Sequence, residues 1–229
     1  MNRIFAKSFA ELDTPNCRLI EVDAGASDWL PHLHHRFGFS IAGLDYSEVG
    51  CRVANEILLR SSTPGSIYRG DMFNPPHELN DNFDVVVSFG LVEHFENTAG
   101  AVSACAALAK PGGLVLTLIP NMSGLYGSVY KIFNRKVYDV HVPITLNDLT
   151  QAHRDAGLHV FLHEHILGVP GVIDQQRIEP VLIRRLLRKF VFHISRIVWA
   201  LEEHGWGVPE NSFSSPYMVC VAKKPRPQN

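Results

Sequence analysis

Cysteine is scarce in this chain, and its four copies, Cys17, Cys51, Cys105 and Cys220, stand far apart with no Cys-x-x-Cys pair. That spacing argues against a disulfide framework or a cysteine-based zinc site and fits free thiols in a reducing compartment. No stretch reaches the roughly 18 uninterrupted apolar residues of a membrane span. Residues Met1 to Ala10 lack the apolar run of a secretory signal. An excess of either charge is missing too: the formal net charge of -2 gives no pull toward nucleic acid or an anionic surface. There is no internal repeat and no low-complexity segment. A soluble, cytoplasmic protein is expected.

What is present is an ordinary globular composition. Apolar residues make up 46% and charged residues 19% of 229 residues, enough for the full core of a single domain spanning residues 1–229. Short β-rich runs alternate with helical patterns. Strands are expected at Leu19–Asp23, Ser40–Leu44, Ser66–Arg69, Asp84–Phe89, Gly113–Ile119, His159–Leu167 and Tyr217–Ala222. Helices are expected at Trp29–Phe37, Glu48–Arg60 and Thr98–Ala109, with Ser47 and Asn97 as N-caps. Lys110-Pro111-Gly112-Gly113 reads as a helix stop. Thr145 to Asp148 opens a further helix through a near capping box, and Gly157 closes it. Strands alternating with helices predict a mostly parallel sheet covered on both faces, and the continuous apolar run Asp84-Val85-Val86-Val87-Ser88 suits a central strand.

The most informative stretch is Leu19-Ile20-Glu21-Val22-Asp23-Ala24-Gly25-Ala26-Ser27-Asp28. It reads as a strand entering a glycine-bearing turn and then a helix, with Asp45 ending the next strand. A turn that lets a ligand approach the backbone, and a later carboxylate for ribose hydroxyls, make a nucleoside cofactor site. Simpler roles remain open. Asp45 could start a helix, Asp71 could form a turn, and Glu21 could cap backbone N–H groups at a strand end.

Several segments together resemble the class I S-adenosylmethionine-dependent methyltransferases of the small-molecule branch. Glu21 matches the acidic position after their first strand and Gly25 the central glycine, while Asp23 and Ser27 replace the flanking glycines. Asp45 in Gly43-Leu44-Asp45-Tyr46-Ser47 matches the ribose-binding carboxylate, and Gly70-Asp71-Met72 the adenine-holding segment. Phe83 to Ser88, Glu93-His94-Phe95 and Leu108 to Leu114 are similar as well. The resemblance implies a Rossmann-like, doubly wound, seven-stranded α/β sheet, mostly parallel, with an antiparallel last strand and a helical insertion. It implies S-adenosylmethionine as cofactor, bound through Glu21, Asp23, Gly25, Asp45, Tyr46, Asp71, Met72 and Ser88. A hydroxyl or amine acceptor would need deprotonation. His94, at the carboxyl end of the fourth strand, ranks first as the base and His141 second, each with an alternative structural role.

No metal site is expected, since His32, His34 and His35 cluster at unsuitable offsets and read as solvated. Residues 121–144, carrying Tyr126, Tyr130, Phe133 and Tyr138, are expected to line an acceptor pocket or form a local core. A second insertion, 170–210, holds a basic amphipathic pattern over Ile178–His204, including Arg184, Arg185, Arg188, Lys189 and Arg196. Its possible fates are a lid, a homodimer contact or a membrane-surface helix, with the lid first. The function expected is methyl transfer to an oxygen or nitrogen of a small molecule. The alternatives are an NAD-dependent oxidoreductase and a non-catalytic methyltransferase-like scaffold. No nucleic-acid partner is expected, because basic residues are not interleaved with stacking aromatics.

Overall fold

Alternate positions of the central strands bury against different helices, which is what a sheet covered on both faces requires. The computed structural model describes residues 1–166 and 210–227. The helical pattern over 178–204, and with it nearly all of the 170–210 insertion, lies outside the described residues. Seven strands form one sheet: β1 (Arg18–Val22), β2 (Ser40–Asp45), β3 (Gly65–Arg69), β4 (Phe83–Phe89), β5 (Ala109–Pro120), β6 (His159–Ile166) and β7 (Tyr217–Lys223). Their order is β3-β2-β1-β4-β5-β7-β6. The first five strands pair in parallel, and β7 runs antiparallel between β5 and β6. The expected plan, including the antiparallel last strand, is therefore observed.

Ile20, Val22, Val86 and Val115 face one core with Ala101, Val102 and Cys105 of α4 (Thr98–Leu108) and Leu149 of α7 (Leu146–Asp155). Leu19, Val85, Val87 and Leu116 face the other. There they meet Ile4 and Phe5 of α1 (Asn2–Ser8), Leu30 and Leu33 of α2 (Trp29–Phe37), and Leu58 of α3 (Glu48–Arg60). Helix α1 was not expected. Phe5 sits edge-on to Trp29 and Phe37, closing an aromatic cluster beneath α2.

The caps agree with the residues. Ser47 accepts from the Gly50 N–H and Asn97 from the Gly100 N–H, each satisfying a donor that the helix leaves orphaned. Thr145 and Asp148 complete a reciprocal capping box. The segment Lys110–Gly113 differs from its reading. Leu108 passes directly into β5 at Ala109, and the ladder shifts register between Phe83 and Val85, with Gly112 at φ 85°. The prolyl-glycyl run is an irregularity within the strand, and it places Lys110 Nζ 2.9 Å from both Asp84 oxygens. Residues 121–144, which showed no clear period, contain α5 (Leu125–Phe133) and α6 (Arg135–Tyr138).

Candidate active site

The parallel strands β1 to β4 end at one edge of the sheet, and the turns leaving them carry most of the expected site residues. The chain leaves β1 at Asp23, whose φ of 66° lies in the left-handed region. Its N–H donates to the Leu44 carbonyl at 2.8 Å, tying the turn to the end of β2. Aspartate tolerates this conformation better than most side chains, though at a cost glycine would not incur.

Asp45 is 5% exposed and lies between two glycines. A Cβ on Gly25 would stand 2.7 Å from Asp45 Oδ2, and one on Gly50 would stand 2.6 Å from its Cγ. Both glycines are therefore required for the carboxylate to take this seat. The Ser47 N–H donates to Asp45 Oδ1 at 2.7 Å, so the acid also fixes the entry to α3. The role of a helix-start residue and a place beside Gly25 coexist in one side chain.

Three adjoining cavities follow this edge. One of about 490 Å³ is lined by Tyr46, Ser47, Glu48, Arg69, Gly70 and Asp71. The next, about 320 Å³, shares Tyr46, Gly70 and Asp71 and adds an apolar wall that includes Met72, Phe73, Leu91 and Phe95. The third, about 480 Å³, is lined by Glu21, Asp23, Ala26, Ser27, Asp28, Trp29 and Phe89. Asp71 Oδ1 accepts from the Phe73 N–H at 2.9 Å, so the turn-forming reading of Asp71 also holds. Ser88 is 1% exposed within β4 and lines none of these cavities, and neither do Gly25, Asp45, His94 and His141. Phe73, Phe95, Trp29 and Phe89 were not anticipated. Phe73 and Phe95 stand in loops that follow strands, Trp29 opens α2 and Phe89 ends β4, and closeness to a strand end was the signal available.

The electrostatics are dominated by buried acids. Burial pushes Glu21 up to about 8, opposed by a hydrogen bond from Ser27, and its Oε2 has no hydrogen-bond partner among the described residues. Burial likewise pushes Glu93 up to about 8, and among the described residues neither of its carboxyl oxygens has a side-chain partner. Asp23 is raised first by burial and then by Asp45, with His94 acting the other way.

His94 follows β4 in a short turn, Val92–His94, and is exposed. Its Nδ1 lies 2.7 Å from the Val140 carbonyl, and the Val142 N–H donates to the Glu93 carbonyl at 2.7 Å. This pair of bonds seats residues 140–142 on the loop after β4 and brings the His141 ring to 4.6 Å from that of His94. His141 Nδ1 in turn lies 2.6 Å from the Val137 carbonyl, and burial lowers its pKa. Both candidate bases thus meet in one place. Glu93, His94 and His141 hold ligand-type atoms within 4.8 Å of one another, a donor set that suits a divalent cation. His32 and His34 are half-buried and bonded, to Asn2 Oδ1 and the Phe39 carbonyl, so they are packing residues more than solvated ones.

The geometry fits S-adenosylmethionine: an apolar slot for a base beside Asp71, a carboxylate beside the Gly25 turn, and a polar pocket beyond it. The family of the methyltransferase domain matches residues 1–165. The chain belongs to this family, within the S-adenosylmethionine-dependent class its motifs resemble. The ubiquinone biosynthesis O-methyltransferase of Methylobacterium nodulans is 30% identical over 133 residues, covering 55% of this chain and 53% of that protein. The chain thus spans about half the length of the curated relatives it matches. The phosphoethanolamine N-methyltransferase 2 of Haemonchus contortus, solved with S-adenosyl-L-methionine, shares the fold at a TM-score of 0.65 and 19% identity. The match covers 98% of this chain and 52% of that one. The geranyl diphosphate C-methyltransferase of Streptomyces coelicolor does so at 0.60 and 15%, covering 97% and 78%. Nothing in these likenesses supports a nicotinamide enzyme. Among the described residues no helix is long and apolar enough to cross a membrane.

Proposed function

We propose that this methyltransferase-family chain transfers a methyl group to an oxygen or nitrogen of a small organic acceptor. The observation that carries the reading is the meeting of His94 and His141, with His94 in electrostatic reach of Asp23. When bound, S-adenosylmethionine supplies an electrophilic methyl group on a sulfonium. In this reading Asp45 receives the ribose hydroxyls, Asp71 the adenine amino group, and Met72 with Phe73 and Phe95 the base. Gly25 lets the backbone come close, and Glu21 accepts from the ammonium group of the amino-acid arm.

The histidines are set up as proton acceptors. In the neutral ring, Nδ1 beside a backbone carbonyl must carry the hydrogen, which leaves Nε2 with its lone pair. In this reading exposed His94 takes the acceptor proton, while half-buried His141 positions it. Tyr126, Tyr130 and Met122, a separate apolar cluster, wall the acceptor side. The O-methyltransferase names of the relatives favour oxygen over carbon. The free cysteines support a reducing, cytoplasmic setting, with buried Cys105 and Cys220 pushed up to about 12.

Calorimetry with S-adenosylmethionine, S-adenosylhomocysteine and NAD tests the reading. Binding of the first two alone is expected. Binding of NAD alone would favour an oxidoreductase, and binding of none a scaffold. A methyl-donor turnover screen over hydroxylated and amine acceptors then identifies the substrate class.

A further inference from the structure

The cofactor has two halves, an adenosine and an amino-acid arm, and its charged sulfur joins them. Of the three cavities along this edge, the apolar one and the polar one beside Glu21 offer the same division. Of the residues lining the apolar cavity and those lining the polar one, Asp23 alone is common to both. The sulfonium, being the junction of the ligand, must pass the junction of the cavities.

Asp23 holds that place at a conformational disadvantage, in the left-handed region where glycine is the default. Among the described residues the carboxylate also lacks a lysine or arginine beside it, and neither cavity wall includes one. Among the described residues, the groups that interact with the Asp23 carboxylate are the acids Asp45, Glu21 and Glu93 and one histidine, His94. A carboxylate beside Asp45, at a site walled partly by apolar side chains, gains from any cation placed next to it. The product of methyl transfer is the same molecule without its charge.

We propose that Asp23 is a specificity-determining residue that makes the site select the cationic methyl donor over the uncharged thioether product. The selection favours product release and limits product inhibition. It rests on the methyl-transfer reading above and deepens it, since a glycine at this position would treat donor and product nearly alike.

Titration calorimetry on the full chain tests this with three probes: S-adenosylmethionine, S-adenosylhomocysteine, and sinefungin, which carries a protonated amine in place of the sulfonium. The wild type should bind both cationic probes at least about tenfold more tightly than S-adenosylhomocysteine. Asp23→Asn and Asp23→Gly should bring that ratio to within about threefold, by weakening the cationic probes while leaving the product's affinity unchanged or improved. Asp23→Gly also removes the left-handed side chain, so its folding is not at risk. Unchanged ratios in both variants would overturn the inference, as would a wild type that binds product as tightly as donor. If the wild type binds none of the three, the methyl-transfer reading itself falls; if it binds all three alike, only the role of Asp23 does.

Discussion

Replacing Asp45 by alanine separates its two jobs. In the folded chain Oδ1 accepts from the Ser47 N–H at 2.7 Å, while Oδ2 faces the Gly25 turn. A hydrogen bond to a charged group contributes about 1.5–3 kcal/mol. Losing the grip on a ribose diol, with water filling in for part of it, should therefore weaken cofactor binding about 10–150-fold. The same substitution leaves the Ser47 N–H without its acceptor, at a cost of about 1 kcal/mol of stability. For a chain of this size that cost is a melting shift of about 2–4 °C. Asp45→Asn keeps an acceptor for Ser47 and loses the charge, so it should melt like the wild type yet still bind several-fold more weakly. Calorimetry well below the transition, paired with thermal melts, reads the two effects apart. An Asp45→Ala variant that binds S-adenosylmethionine within twofold of wild type would remove Asp45 from the site and leave it only as the start of α3.

Gly25→Ala places a methyl group 2.7 Å from Asp45 Oδ2 and 3.1 Å from the Gly50 Cα. Cofactor affinity should fall at least about tenfold while the far-ultraviolet spectrum is retained; unaltered affinity would mean the turn yields freely. Glu21 and Glu93, pushed up to about 8, hold protons in the folded chain that the unfolded chain releases from about 4.5 upward. Their contribution to stability is thus full below that value and is lost as pH rises toward 8. Glu93→Gln should melt several degrees above wild type at pH 8 and close to it at pH 5, and an equal shift at both would refute the assignment. His153, pushed down to about 4 by burial, acts in the opposite sense and costs stability as pH falls from 6.5 toward 4. His94→Gln should leave cofactor affinity within twofold while turnover falls by about 10²–10⁴; a turnover loss of only twofold would end its role as base.

Why some of this was legible and some was not follows from the range of the interactions involved. Strands β1 and β4 could be read because a buried parallel strand needs apolar side chains on both faces, and Leu19, Ile20 and Val22 and Val85–Val87 supply them to both cores. Ser47, Asn97 and Thr145 were legible because a cap is a contact across three residues. Helix α1 was not. Its signal is Ile4, Phe5 and Phe9 packing on Trp29 and Phe37, partners more than 20 residues away. Nor were α5 and α6, since Gly124 offers α5 no side-chain cap and a single Asn134 ends one helix and caps the next. The segment after Leu108 misled because proline and glycine signal a helix stop equally well whether a loop or an irregular strand follows.

The site divides along the same line. The Gly25 turn and the acids at the ends of β1 and β2 lie within short reach of the strands that position them, so motif spacing located them. The pairing of His94 with His141 depends on two backbone contacts, Nδ1 of His94 to Val140 and the Val142 N–H to Glu93, that link segments far apart in the chain. The position of Asp23 at the junction of two cavities is a property of the folded groove. A local reading could only register that a carboxylate stands where a glycine was expected, which marks it as a weakness in the motif. In the proposed reading the fold turns that oddity into a placed negative charge where two cavities meet, and a substitution that costs backbone freedom persists most simply where its side chain has something to bind.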